Sequence, residues 1–233
     1  MIQKKYILTE KPKNYLGYTL YQIQAIKDFG DVKKGDLGGW IRSEDNLSQK
    51  HSCWVYDDAV VYEDARVFGD AKVRGNADIH GTAKVGDHAE VYDCAMVTMD
   101  AMVIDYAKVY GNALIYDRAW IFEHAKVFGK AQVFSGAQVS GKAKVFGEVS
   151  ILGNAYIVGD AIIKCNLDYM VFQNNWTYGN YFTWTKSNNK WKVGSFYGTG
   201  EKLIEKAYKV SKEDGWYFEQ FVKFNELLAN HKP

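Results

Sequence analysis

Among the 233 residues, the side chains with the widest chemical reach are three cysteines and a small set of histidines. An imidazole can take a proton from a hydroxyl or an amine near neutral pH, so His80, His88 and His124 are each candidate general bases. Asp78 precedes His80 by two positions. Residues two apart on an extended strand share a face, so Asp78 is placed to orient that ring. His80 and His124 are the residues to which catalysis would be assigned if the chain is an enzyme. Each also has a plainer reading, as a solvated or packed side chain. Cys53, Cys94 and Cys165 are odd in number and scattered, which fits free thiols better than a disulfide framework. No phosphate loop, nucleophile elbow or paired-cysteine metal motif is present, so no cofactor and no metal are expected. Gly198-Thr199-Gly200 reads as the turn that starts a helix.

What must position these residues is a repeat of six. From Ala59 to Ala161, every sixth residue is alanine, with Val149 the one exception. From Val61 to Ile163, every sixth residue is Val or Ile. From Glu63 to Gly159, 13 of 17 such positions are Gly or Asp. A β-branched residue between outward neighbours makes a very short strand with one inward side chain. The alanine fits a tight interior corner, and Gly or Asp tolerates the unusual backbone angles of a turn. Three hexads close a triangular coil of 18 residues, and coils stack at about 4.8 Å. Neither an α-helical nor a coiled-coil period fits. The frame traces back through Cys53 and Leu47 to Ile41, giving about seven coils over 41–165 and a prism about 33 Å long.

The flanks lack this period. Residues 1–40 show apolar alternation at Leu16, Tyr18, Leu20 and Ile23 and then a glycine-rich passage, which predicts a cap of one or two strands. Residues 166–233 read as a small α/β unit. A hairpin turns at Asn188-Asn189, Thr199 caps a helix over 201–211, and a second helix covers 214–229. That second helix carries Trp216, Phe218, Phe221, Phe224, Leu227 and Leu228 at roughly helical spacing.

The hexad pattern resembles the hexapeptide-repeat family, which implies a left-handed parallel β-helix. Lys27–Ile41, Asn46-Leu47-Ser48 and Cys53–Ala59, with Thr183-Trp184-Thr185, Trp191–Gly194 and Phe196–Thr199, resemble a group of phage and prophage members. Those members carry acyltransferase-like or polymer-forming labels. Many members of the wider family are trimeric acyltransferases with a catalytic histidine beside a loop that interrupts the coils. No loop interrupts this chain between Ala59 and Ile163. The resemblance implies a homotrimer.

Sorting outward residues by 18 gives three faces. The middle of the first is apolar, with Met102, Ile104, Trp120 and Phe122. Across an edge lie Met96, Leu114 and Tyr116 of the second. These seven are the expected oligomer interface. The third face carries Arg74, Lys108, Lys126 and Lys144 beside Tyr92, Tyr110, Phe128 and Phe146. Lysines neutralise phosphates and rings can stack on a base, so these eight are the candidate ligand-binding residues. The plainer reading is an aromatic ladder under lysine stems. His88 and His124 share one edge with Tyr106 between them, about 9–10 Å apart, too far to share a metal.

A formal net charge of +1 excludes a generally basic binder of long nucleic acid. No apolar run approaches the ~20 residues of a membrane span, and the opening residues lack a signal-peptide core, so a cytoplasmic protein is expected. The leading expectation is a non-catalytic trimer of phage type that holds, and sequesters, a nucleotide-like anion such as an immune signal. The alternatives are an acyltransferase using acyl-CoA and a structural scaffold or protein-binding adaptor.

Overall fold

A computed structural model describes residues 4–175 and 180–230. The repeat forms a parallel β-solenoid of about seven turns. Its rungs are strands of two residues, arranged in three sheets that are the three faces. Arg66–Val67 to Tyr156–Ile157 build the first face, Val60–Val61 to Ser150–Ile151 the second, and Trp54–Val55 to Ile162–Ile163 the third.

Each rung stacks in register on the residue 18 positions later, as Met96 does on Leu114 and Lys108 on Lys126. The Val/Ile column and the alanine column are at most 1% exposed throughout. Each buried Val or Ile contributes about 1.5–3 kcal/mol before entropy is subtracted. All 17 residues from Glu63 to Gly159 in the Gly/Asp frame lie in the left-handed region, Glu63, Met99, Glu123 and Ser135 included. Acidic residues there have a second use. Asp93 accepts the Gly111 amide at 3.0 Å, Asp105 the Glu123 amide at 3.0 Å and Asp117 the Ser135 amide at 3.1 Å, each tying its corner to the next coil.

The coil-to-coil hydrogen bonds that flank the paired strand residues run one way. An amide of one coil donates to a carbonyl of the next, as Lys108 N does to Ala125 O at 2.9 Å. The first coil therefore has carbonyls in excess and the last has amides in excess, and the two ends call for different caps. At the first coil the caps are donors. Lys5 Nζ, on a side chain sealed from solvent, donates to the carbonyls of Cys53, His51 and Lys50 at 2.8, 3.1 and 3.3 Å. Tyr6 donates to Leu47 O at 2.7 Å, and Asn46 Nδ2 to Ala65 O at 2.9 Å. At the last coil each face has an acceptor cap, beside the Tyr169 hydroxyl, which donates to Ser150 O at 2.8 Å. Asn166 Oδ1 takes the Ser150 amide at 3.0 Å, Thr183 Oγ1 the Tyr156 amide at 3.0 Å, and Ser187 Oγ the Ile162 amide at 2.7 Å.

The N-terminal segment holds three strands where one or two were expected: β1 (Tyr6–Tyr15), β2 (Tyr18–Ala25) and β3 (Leu37–Ile41). β2 pairs antiparallel with β1 and β3, and β3 pairs parallel with Val60–Val61, so the cap extends the second face. After the solenoid come β4 (Tyr169–Asn174), β5 (Asn180–Thr185), β6 (Lys190–Val193) and β7 (Phe196–Gly198) in one antiparallel sheet. Helices α1 (Gly200–Val210) and α2 (Lys212–Asn230) follow. The hairpin and the Thr199 cap form as expected, the cap accepting the Lys202 amide. α2 also forms as expected, but only part of its apolar set packs inward. Phe218 and Phe221 pack on Phe182, with ring centroids 4.9 and 5.5 Å apart. Trp216, Phe224, Leu227 and Leu228 instead lie on the exposed side of the helix.

The cap arrangement predicts that Thr183→Val, which keeps the side-chain volume, strands the Tyr156 amide. The expected loss is about 1–3 kcal/mol of unfolding free energy, read from the denaturant midpoint. An unchanged midpoint would show that this cap contributes nothing.

Candidate functional site

Asp78 lies on the rung Asp78–Ile79 and His80 directly follows, so both project outward while Ile79 is buried between them. His80 Nδ1 is 2.8 Å from Asp78 Oδ1. An ionised carboxylate only accepts, so beside one a neutral ring places its proton on Nδ1 and keeps the lone pair on Nε2. Tyr15, at the tip of the β1–β2 hairpin, donates to Asp78 Oδ2 at 3.0 Å. Asp78 is 7% exposed. Tyr62, one coil earlier, stacks on the His80 ring at 5.0 Å and 15°. Tyr15 and Tyr18 pack on Tyr62 in turn, at 5.8 and 5.1 Å. Burial and, after it, the Asp78 carboxylate raise the Tyr62 hydroxyl well above its ordinary range, and the same two causes raise Tyr15. Both phenols therefore stay protonated. His80 Nε2 makes no hydrogen bond among the described residues, and the side chain is 23% exposed. The pair is thus an imidazole held by a carboxylate that is itself held, on a side chain partly open to solvent.

Glu63 closes this corner. It accepts from Tyr18 at 2.6 Å and from the Gly81 amide at 2.7 Å. The Tyr18 hydroxyl first, then that amide, holds its carboxyl below the usual value.

His124 has no such support, since no carboxylate pairs with it among the described residues. It stacks on Tyr106 at 5.1 Å, and Tyr106 stacks on His88 at 4.8 Å. His88 Nδ1 is 3.7 Å from Asp70, too long for a hydrogen bond. Of the two histidines assigned from sequence, only His80 is oriented.

On the third face, Tyr92, Tyr110, Phe128 and Phe146 form one ladder with spacings of 4.8, 4.8 and 4.7 Å and planes within 9°. These rings present faces to one another and edges to solvent, so the inner two have no face left for a base. Arg74 and Lys108 both engage Glu90, at 3.2 and 2.7 Å. Lys126 and Lys144 have no carboxylate partner among the described residues. On the other faces, Met96 and Trp120 are 36% and 42% exposed, Trp120 meets Phe122 edge-on at 6.3 Å, and Tyr116 stacks on Phe134 at 4.7 Å. Met102, Ile104 and Leu114 are half-buried on their rungs. Among the described residues no group of three His, Cys, Asp or Glu could hold a metal, and no helix is long and apolar enough to cross a membrane.

Sequence reading missed Tyr15, which lies outside the repeat and carries no spacing signal. It also missed Lys142, which sorting the corner positions by 18 would have placed after His124.

A parallel β-solenoid with unbroken hexads fits the hexapeptide-repeat β-helix class. No family model matches the chain. A 42-residue stretch is 50% identical to a protein of Escherichia coli (strain K12) named uncharacterized acetyltransferase YdcK. That stretch is 18% of this chain and only 13% of the E. coli protein.

The Glu63 geometry sets a pH dependence. Its folded value lies below the unfolded one of 4.5, so its contribution to stability is complete above about 4.5 and is lost as pH falls through the depressed value. The difference in denaturant midpoint between wild type and Glu63→Gln should be largest near neutral pH and should vanish in acid. A difference independent of pH would contradict this.

Proposed function

We propose that this chain transfers an acyl group from a thioester donor of the acyl-CoA type to a hydroxyl or amine. The carrying observation is the Tyr15–Asp78–His80 relay, which aims a lone pair at the surface. In this reading His80 Nε2 removes the acceptor's proton as the acceptor attacks the thioester carbonyl. The thiolate then leaves and takes up a proton. Asp78 is the positioning residue, fixing the tautomer and stabilising the imidazolium that forms. The solenoid fold and the stretch shared with a protein named as an acetyltransferase support this reading. The proposed assembly is a homotrimer that buries Trp120, Phe122 and Met96, and the exposure of Trp120 and Met96 supports it.

A second reading is retention of a nucleotide-like anion without turnover. It is favoured by the unpaired Lys126 and Lys144 on the third face. In the phage setting that the flanking sequences resemble, such retention would withdraw a signal from the host.

Acyl transfer is tested by following thiol release from acetyl-CoA over a panel of alcohol and amine acceptors. His80→Ala should lower the rate by about 10²–10⁴-fold, and Asp78→Asn should lower kcat with little change in KM. Wild-type protein that releases no thiol above background, or a fully active His80→Ala, would overturn the reading.

A further inference from the structure

The corner between the third and first faces carries the column His88, Tyr106, His124 and Lys142. Beside it runs the strand column Glu90, Lys108, Lys126 and Lys144. The two columns bound an open groove of about 520 Å³. We infer that this groove is a binding site for an oligophosphate, a small molecule carrying two or more linked phosphates. The inference deepens the anion-retention reading and is independent of His80.

The first argument is charge. Lys108, Lys126 and Lys144 are in-register partners on successive coils, so their stems start about 4.8 Å apart. Like charges directly opposite one another disfavour a sheet. Earlier in the same column the chain avoids this. Lys72 pairs with Asp31 at 2.7 Å, and Glu90 separates Lys72 from Lys108 and pairs with Arg74 and Lys108. Past Lys108 the alternation stops. Lys126 and Lys144 follow with no acid between, Lys142 adds a third charge from the neighbouring column, and none of these three has an ion pair among the described residues.

The second argument is the donor set. One wall offers ammonium groups and the other the polar ring edges of two histidines and a tyrosine. The one carboxylate, Glu90, lies at the end and is already engaged. Such walls suit an occupant rich in acceptor oxygens, with charges repeating along a line. The ligand chemistry is therefore phosphate upon phosphate. No ring faces are needed, which fits a site beside the aromatic ladder and not on it.

The test is calorimetric titration of the full chain with sodium tripolyphosphate at physiological salt. We expect saturable binding that weakens by at least about tenfold in a Lys126→Glu, Lys144→Glu double variant. Lys126→Gln with Lys144→Gln should weaken it in the same direction. Lys84→Glu with Lys202→Glu, the same change in net charge elsewhere, should leave affinity within about twofold. Absence of saturable binding, or equal weakening in the Lys84/Lys202 control, would overturn the groove. So would tighter binding of an oligonucleotide than of tripolyphosphate. Binding of ATP but not tripolyphosphate, unaffected by the lysine reversals, would overturn the groove while leaving the anion-retention reading in place.

Discussion

Every feature of this molecule depends on one hydrogen bond repeated along the solenoid: an amide in one coil donating to a carbonyl in the next. Because it repeats in strict register, each residue lies on the residue 18 positions away. A column of sequence becomes a column in space. Because the bond has a direction, the two ends differ chemically. Lys5, Tyr6 and Asn46 supply protons at one end, and Asn166, Thr183 and Ser187 supply lone pairs at the other. A lysine sealed inside a protein is ordinarily costly, and burial does push its ammonium pKa down. Here three carbonyls without strand partners give it a reason to be there.

The same register explains how the surface can acquire chemistry without loops. Two outward residues flank each inward Val or Ile, so a dyad such as Asp78–His80 needs only the two-residue spacing of a strand. What separates that dyad from the other histidines is its neighbours. Tyr62 supports the ring from the coil before, and Tyr15 holds the carboxylate from the N-terminal hairpin. The hairpin thus acts both as an end cap and as the outer support of the candidate base. His88 and His124, farther along, stack on Tyr106 and have no carboxylate to orient them.

Most of the fold was legible in the sequence because the repeat is exact in phase, and the coil count, the three faces and the inward columns all follow from it. The caps were legible only in outline. β1 carries a mixed pattern of lysines and apolar residues, with no clean alternation to mark it as a strand. In α2 the aromatic residues recur at helical spacing on both sides, so spacing alone did not separate Phe218 and Phe221, which pack inward, from Phe224, Leu227 and Leu228, which do not. Within the site, Asp78 beside His80 could be read from spacing, whereas Tyr15 could not, since its contact crosses 63 positions from outside the repeat. The ladder was legible from the 18-residue register, and its rings stack as that register requires.

In the proposed reading Asp78 holds the His80 ring with Nδ1 protonated and Nε2 free to act as a base. The direct measurement is ¹⁵N NMR of histidine-labelled protein at a pH where the ring is neutral, with His80→Gln used to assign the signal. The account predicts a proton on Nδ1, an unprotonated Nε2, and loss of that preference in Asp78→Ala. A His80 ring protonated on Nε2, or one whose tautomer ignores Asp78, would contradict it.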